Sequence, residues 1–168
     1  MSGGESRKTG RSTGLQNSTK PPKYFREIAE CVSRRYASAG KIVEVGVGRS
    51  PYTILLLREL LPGAELTAVD VDEEAVEELR KMGLKAFVDD LTSPSLEIYE
   101  GADLIYSIRP PFELIPNIAS LGARVGSDVL IAPLSEDAHL SDLSGWKMLR
   151  LGEAAVYILE KPYNLSYK

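Results

Sequence analysis

Residues 43–51 read VEVGVGRSP, in which Glu44 stands two positions before the first of two glycines, Gly46 and Gly48. Glycines directly after a strand let a ligand approach the backbone closely, so this loop is typical of a site for a nucleotide-like molecule. The dinucleotide fingerprint G-x-G-x-x-G needs a third small residue, but here that position is Pro51. A Walker phosphate loop is excluded because no Gly-Lys-Ser/Thr is present. Glu44 lies within an apolar run, where a carboxylate is costly unless it is paired.

Further acids follow the next two strand-like runs. Asp70 ends the run ELTAVD, and Asp89 and Asp90 end the run KAFVDD. Carboxylates accept hydrogen bonds from hydroxyls and amines and suit cationic groups. Ligands of open α/β sheets bind at the carboxyl ends of strands, so we expect these acids to face one crevice. Acids near helix starts also cap helices, as predicted for Asp72, and a purely structural role for Asp70 or Asp90 stays open.

A third candidate stretch, YSIRPPFEL, begins at Tyr106 and follows the fourth strand-like run. Tyr106, Ser107 and Arg109 are the candidates for catalysis or substrate binding. A guanidinium has no acceptor but can hold a carboxylate or phosphate with two hydrogen bonds. Alternatively, the two prolines only end a strand and Arg109 pairs with a surface acid. His139, in a polar loop, is interpreted as a solvated side chain rather than a general base.

The elements that position these residues alternate along the chain. An amphipathic helix is predicted behind Pro21 and Pro22, with Phe25 to Tyr36 supplying its apolar face and Gly40 ending it. The later alternation is typical of βαβ units in a parallel sheet. Strands are predicted at 41–45, 65–71, 85–88, 102–108 and 127–134, and helices at 50–63, 72–83 and 112–122. The helix at 50–63 is predicted to begin with Ser50 as its N-cap.

The last two strand-like runs, 146–151 and 154–161, are joined only by Gly152 and Glu153. So short a link cannot form a parallel crossover, so these runs are predicted to form an antiparallel hairpin. The predicted fold class is therefore α/β, a Rossmann-like doubly wound and mostly parallel sheet that ends in an antiparallel hairpin.

Composition bounds the class of protein. The chain has 168 residues, of which 43% are hydrophobic and 26% charged, a balance that predicts one globular domain over residues 21–168. Residues 1–20 are poor in large apolar side chains and are predicted to form a disordered basic tail. No apolar run is long enough for a membrane span, and we expect a cytoplasmic protein. One cysteine, Cys31, and one histidine cannot supply a zinc site, so no metal is predicted.

Charge is distributed unevenly. Residues 1–40 carry eight Lys and Arg against three acids, and the remaining residues carry twelve against twenty-one. A basic arm on an acidic body is compatible with contacts to nucleic acid, but short basic tails are also often simply solvated.

These motifs carry a resemblance. VEVGVG resembles the first motif of the Rossmann-like S-adenosylmethionine-dependent methyltransferases, and the acids at 70 and 89–90 and the closing hairpin follow in the order of that superfamily. The resemblance covers residues 41–161. The whole chain is also similar to a small uncharacterised archaeal family of methyltransferase-like proteins. RPPF, starting at Arg109, resembles the Asp/Asn-Pro-Pro-aromatic motif of amino methyltransferases, but its first residue departs.

The resemblance implies S-adenosylmethionine as the cofactor and a role for each matching residue. Glu44 would face the methionine ammonium, and Gly46 and Gly48 would admit that part of the ligand. Asp70 would accept the ribose hydroxyls. Asp90 would accept from the adenine amine with Leu91 against the ring; Asp90 is preferred to Asp89 because it directly precedes the apolar residue.

Two functions remain in view. One is an S-adenosylmethionine-dependent methyltransferase of unknown acceptor, which Arg109 makes compatible with an anionic acceptor. The other is a non-catalytic protein of the same fold that binds a nucleotide or S-adenosylmethionine, or acts as a scaffold. The acid and glycine series favours the enzyme, and the altered motif after the fourth strand favours the binding protein.

Overall fold

The computed structural model describes residues 20–133 and 145–161. The predicted tail, apart from Lys20, and the loop with His139 lie outside these residues. The helices are α1 (Lys23–Arg35), α2 (Tyr52–Leu60), α3 (Glu73–Lys81) and α4 (Ile115–Val125), and short 3₁₀ turns occupy Leu96–Ile98 and Phe112–Leu114. The strands are β1 (Lys41–Val45), β2 (Glu65–Asp70), β3 (Lys85–Val88), β4 (Leu104–Ile108), β5 (Asp128–Ala132), β6 (Lys147–Leu151) and β7 (Ala154–Leu159).

The seven strands form one sheet in the order β3-β2-β1-β4-β5-β7-β6. β1 to β5 pair in parallel, whereas β7 runs antiparallel to both β5 and β6. The predicted mostly parallel sheet with a closing hairpin is therefore confirmed. The chain leaves β1 in one direction through β2 and β3 and returns on the other side as β4. A reversal of this kind opens a crevice at the carboxyl ends of the two central strands.

Two apolar layers cover the sheet, because successive side chains of a strand point to opposite faces. Ile42 and Leu104 pack with Ile28 and Leu57 beneath α1 and α2. Val43 and Ile105 point the other way and pack with Ile118 of α4. The continuous apolar runs of the central strands follow from this burial on both faces. Of the helices in the described residues, none is long and apolar enough to cross a membrane.

Local signals account for most helix ends. Asp72 caps α3 as predicted, accepting a hydrogen bond from the Glu74 amide at 2.9 Å. Pro116 lies in the first turn of α4, where its missing amide leaves no bond unmade. Gly126 ends α4 with a φ of 71°, a left-handed backbone that favours glycine.

Several predicted helix bounds are wrong: α2 ends at Leu60 rather than at 63, and α4 spans Ile115–Val125 rather than 112–122. The N-cap of α2 is Pro51 rather than Ser50, because the turn after β1 continues to Ser50, whose amide meets the Val47 carbonyl at 3.5 Å. The Pro51 carbonyl then accepts the Leu55 amide at 3.1 Å. α1 ends at Arg35, well before the predicted stop at Gly40, and Tyr36 follows it as the C-cap, where its hydroxyl donates to Asp128 at 2.8 Å.

Candidate functional site

The loop after β1 folds back onto the neighbouring strand. Gly46 and Gly48 have φ values of 69° and 59°, which most other residues adopt only with strain. The Gly46 amide donates to the Val69 carbonyl of β2 at 2.8 Å, and the Val47 amide approaches the same oxygen at 3.3 Å. The loop is thereby held close to the end of β2.

Asp70 completes that attachment from β2. Its carboxylate, 9% exposed, accepts the Gly48 amide on one oxygen at 2.8 Å and the Asp72 amide on the other at 2.9 Å. A carboxylate oxygen has two lone pairs, so each oxygen retains one acceptor position. The same side chain can therefore hold the loop and accept a pair of neighbouring hydroxyls.

Glu44 lies deeper, in the middle of the sheet. It is 2% exposed and its register partners are Tyr106 on β4 and Ala68 on β2. Neither the Glu44 Oε1 atom nor the Tyr106 hydroxyl has a hydrogen-bond partner among the described residues. Burial raises the pKa of Glu44 to about 8; the nearby Tyr106 hydroxyl opposes this rise and the Asp70 carboxylate adds to it. An acid without a partner in such surroundings is stabilised by any cation or donor that reaches it.

The other catalytic candidates on β4 are also buried. Tyr106 is fully buried and Ser107 is 2% exposed. The Ser107 hydroxyl donates to the Val45 carbonyl at 2.8 Å, so its proton is already used to join β4 to β1 directly below the glycine loop. Burial and the Glu44 carboxylate raise the pKa of the Tyr106 hydroxyl well above its usual value. Both hydroxyls remain protonated near neutral pH.

The two acids after β3 have different surroundings. Asp89 is 9% exposed and accepts hydrogen bonds from the Ser95 amide at 3.1 Å and from the Tyr99 hydroxyl at 2.6 Å. Asp90 is exposed, and one of its oxygens accepts the Thr92 amide and hydroxyl at 2.9 and 2.8 Å. Those two bonds lower the pKa of Asp90. Its second oxygen is available to a ligand, whereas Asp89 is committed to the loop before β4.

Arg109 has the one positive φ, 52°, among the described residues that are not glycine. Its amide donates to the Ala132 carbonyl of β5 at 2.8 Å, which holds the backbone in this conformation at the end of β4. The guanidinium lies over the ring of Tyr24, 4.9 Å from the ring centre. It forms no ion pair with any side chain in the described part of the chain.

The architecture thus brings most of the predicted residues to one edge of the sheet. Glu44, Gly46, Gly48, Asp70, Asp89, Asp90, Leu91 and Arg109 all lie within β1 to β4 near their carboxyl ends or in the loops that follow. Tyr24, in the first turn of α1, was not predicted from sequence; its neighbours in the sequence give no sign that Arg109 will lie against it. Across residues 20–133 and 145–161, no group of three or more His, Cys, Asp or Glu side chains is arranged to hold a metal ion.

Comparison with known proteins identifies relatives. The family model described as "Uncharacterised protein family (UPF0146)" matches residues 25–161. A UPF0146 protein of Archaeoglobus fulgidus is 44% identical over 114 residues, which are 68% of this chain and 82% of the relative. A UPF0146 protein of Methanocaldococcus jannaschii is 37% identical over 121 residues, 72% of this chain and 84% of the relative. The archaeal family expected from the sequence is confirmed.

Solved structures share the fold. A protein of Methanococcus maripaludis described as a candidate S-adenosylmethionine-dependent methyltransferase aligns with a TM-score of 0.63 at 15% identity, over 82% of this chain and 84% of that one. The plantazolicin methyltransferase BpumL in complex with SAH aligns with a TM-score of 0.54 at 26% identity, over 73% of this chain. This chain spans about half (52%) of the BpumL chain. The fold is therefore that of S-adenosylmethionine-dependent methyltransferases.

Proposed function

The chain belongs to the uncharacterised protein family UPF0146, and we propose that it binds S-adenosylmethionine at the carboxyl ends of β1 to β3 and transfers its methyl group to an acceptor. The methyltransferase fold supports the class of ligand. The fold alone does not determine an activity, so the argument depends on the residues of the crevice.

The observation that carries this proposal is the buried Glu44 oxygen without a hydrogen-bond partner in the described residues. A fully structural acid would be expected to have its partners within the protein. Glu44 instead lies beside the glycine loop, at the central strand of the reversal. An ammonium group, such as the one at the methionine end of the cofactor, is the complement that this carboxylate lacks.

The other residues of the crevice fit the ribose and the adenine of S-adenosylmethionine. Asp70 keeps two acceptor positions after binding the Gly48 and Asp72 amides, enough for the two hydroxyls of a ribose. Asp90 is exposed with one oxygen free of the Thr92 bonds, and it can accept from the adenine amine. Leu91, partly buried, supplies an apolar contact beside it. Asp89 is buried and holds the Ser95 amide and the Tyr99 hydroxyl, and the greater exposure of Asp90 favours it for this role.

The bound cofactor would supply a methyl group on a cationic sulfur, and displacement at that carbon depends mainly on proximity and alignment. The chain's own contribution is to hold the two reactants. Arg109, without an ionic partner and at the end of the adjacent strand, can bind a carboxylate or phosphate of the acceptor through two hydrogen bonds. The acceptor that best fits this arrangement is anionic.

A non-catalytic binding protein is the second candidate, and one observation favours it. Ser107 donates its proton to the Val45 carbonyl, and Arg109 replaces the side-chain carbonyl that would accept bonds from an amine substrate. From Tyr106 to Phe112, no exposed side chain is suited to remove a proton. An acceptor that is already ionised needs no such base, and transfer to it distinguishes the two candidates.

Calorimetry on the folded protein tests the cofactor assignment. We expect S-adenosylhomocysteine and S-adenosylmethionine to bind and NAD not to bind. Glu44→Gln should weaken S-adenosylhomocysteine binding by about tenfold or more, because a charge-assisted bond is lost. Asp103→Asn is the matched control: Asp103 accepts the Gly40 and Lys41 amides at the opposite end of β1, and its loss should leave the affinity unchanged. Failure of both S-adenosyl compounds to bind would refute the proposal.

Proton release gives an independent measurement. Because burial raises the pKa of Glu44 to about 8, most of this group is protonated at pH 7 in the free protein. An ammonium beside it lowers that pKa, so binding should release a proton to the buffer. The heat of binding, measured in two buffers of different ionisation enthalpy, should differ accordingly, and Glu44→Gln should abolish the difference. Transfer of labelled methyl groups from S-adenosylmethionine to carboxylate and phosphate acceptors then separates an enzyme from a binding protein.

A further inference from the structure

A second concave site lies on the flank of the molecule, between α1 and α2. This cavity has a volume of about 540 Å³, within the range of small-molecule sites. Phe25, Tyr52 and Leu55 contribute apolar lining, and Lys20, Lys23 and Arg26 contribute three cationic groups. We call the site that these residues line the α1–α2 cavity. None of them has a role in the proposed cofactor crevice.

The cations of the α1–α2 cavity are free to bind a ligand. Lys23 and Arg26 are exposed, and one turn of α1 separates them, which places them on the same side of the helix. Lys20, Lys23 and Arg26 form no ion pair with any side chain in the described part of the chain. Glu59 is the acid among the lining residues. Residues 41–168 carry an excess of acids, so this concentration of positive charge stands out from the rest of the surface.

The aromatic rings of the cavity add a second kind of recognition. The Phe25 and Tyr52 rings lie 5.1 Å apart at 55°. Phe25 is buried and fixed, and Tyr52 is 39% exposed and offers part of its ring to solvent. An exposed aromatic face next to cations is the combination that binds a nucleobase and its phosphate.

A hydrogen bond and two ring contacts link the cavity to α2 and to the end of β4. The Thr53 hydroxyl donates to the Phe25 carbonyl at 2.9 Å, which locks the start of α2 against the first turn of α1. The Tyr24 ring lies 4.4 Å from that of Phe25, and the Arg109 guanidinium lies over the Tyr24 ring. Tyr24 therefore links a ring of the cavity to a further cation at the end of β4.

From these features we propose that the α1–α2 cavity binds a nucleotide, with the base against Tyr52 and the phosphate between Lys23 and Arg26. The Arg109 guanidinium over Tyr24 favours a single-stranded nucleic acid over a free nucleotide, since it can bind a further phosphate. This binding requires no cofactor and no methyl transfer, so it can be tested apart from the proposed function.

The test uses the full chain, without cofactor, and a fluorescently labelled single-stranded RNA of about 12 nucleotides at low salt. Fluorescence anisotropy should show binding that weakens as salt increases. Arg26→Glu should weaken binding by about tenfold, because a phosphate contact becomes a repulsion. Arg34→Glu is the matched control: Arg34 is exposed on the same helix, at its far end, and is unpaired among the described residues. Its effect should stay below about twofold.

Tyr52→Leu separates stacking from charge, because it keeps an apolar side chain and removes the ring. It should weaken binding by about tenfold, without changing the salt dependence. Displacement of the RNA by AMP at comparable affinity would identify a site for free nucleotides, whereas displacement only by unlabelled RNA would identify a nucleic-acid site; both support the cavity. Absence of binding at low salt, or equal effects of Arg26→Glu and Arg34→Glu, would overturn the proposal.

Discussion

The ends of β1 and β2 each hold a buried acid, and the two acids have opposite surroundings. Asp70 at the end of β2 accepts two backbone amides, from Gly48 and Asp72. Glu44 on β1 has an oxygen with no partner in the described residues, although its register partner Tyr106 carries a hydroxyl. One acid is used to build the crevice, and the other keeps a buried oxygen, Oε1, without a hydrogen-bond partner in the described residues.

This difference distinguishes acids that stabilise the loops of the crevice from acids that are available to a ligand. An acid that stabilises a loop accepts hydrogen bonds from the amides of that loop. A buried acid whose oxygen has no hydrogen bond raises the free energy of the unliganded protein. The same division recurs after β3, where Asp89 holds the following loop and Asp90 faces solvent. Acids that hold loops and acids with an oxygen available to a ligand therefore lie along the same edge of the sheet.

The largest expected effect comes from Glu44. Its pKa in the folded protein, about 8, is higher than in the unfolded chain, so the folded state binds the extra proton between these two values. The contribution of Glu44 to stability is therefore fully present at acidic pH and falls as the pH rises from about 4.5 to 8, by up to about 4 kcal/mol. Glu44→Gln should remove this part of the slope. Urea unfolding at pH 5, 6, 7 and 8 measures the difference, and parallel profiles for the two proteins would contradict the prediction.

The pair after β3 separates structural acids from ligand-binding acids. Asp89→Ala should lower the free energy of unfolding by about 3 kcal/mol, because it leaves the buried Tyr99 hydroxyl without its acceptor. Asp90→Ala should leave stability nearly unchanged and weaken S-adenosylhomocysteine binding. Thermal unfolding and calorimetry of both variants provide the measurement. If Asp89→Ala weakens the ligand in a protein that remains folded, the two roles are reversed.

Asp70 should affect both the affinity for the ligand and the conformation of the glycine loop. Asp70→Ala should weaken S-adenosylhomocysteine binding by about 1–3 kcal/mol, since it removes the acceptor for the ribose and also releases the Gly48 amide. Amide signals of Gly46 and Gly48 should shift in the variant even without ligand. Asp70→Asn keeps an acceptor oxygen and should show a smaller loss. An affinity that is unchanged in Asp70→Ala would move the ribose elsewhere.

The smallest effect is expected at Arg109, which is not one of the acids of the crevice. Arg109→Lys keeps the charge and the backbone conformation, so the free energy of unfolding should change by less than about 0.5 kcal/mol, and cofactor affinity should stay the same. Binding of an anionic acceptor should weaken, because an ammonium cannot form two parallel bonds. A loss of cofactor affinity in this variant would place Arg109 in the same group as the acids.

The strands, the mostly parallel sheet and the closing hairpin followed from the sequence, because short β-branched runs and a two-residue link permit few arrangements. The start of α2 was misplaced by one residue, since Ser50 is a good capping residue and nothing in the sequence shows that the glycine turn extends through it. The positions of Glu44, Asp70 and Asp90 near strand ends were also predictable, because that prediction needs only the strand boundaries.

What the sequence does not contain is the register between distant strands. Glu44 lies beside Tyr106 only because β1 and β4 pair with that alignment. The partners of Asp89 come from a loop whose path depends on tertiary packing. The stacking of Arg109 on Tyr24 joins the end of β4 to the first turn of α1. The α1–α2 cavity exists only once α1 and α2 are packed together.

The contact between the first helix and the last hairpin has a consequence for the folding pathway. Gly152, in the turn between β6 and β7, has a φ of 56°, and a Cβ atom there would lie 2.6 Å from the Glu27 carboxylate of α1. Arg35 of the same helix pairs with Glu160 at 2.9 Å. These contacts join residues separated by about 125 positions, and closing so long a loop is slow. The nascent chain therefore has to keep α1 available until nearly all of the sheet has been synthesised.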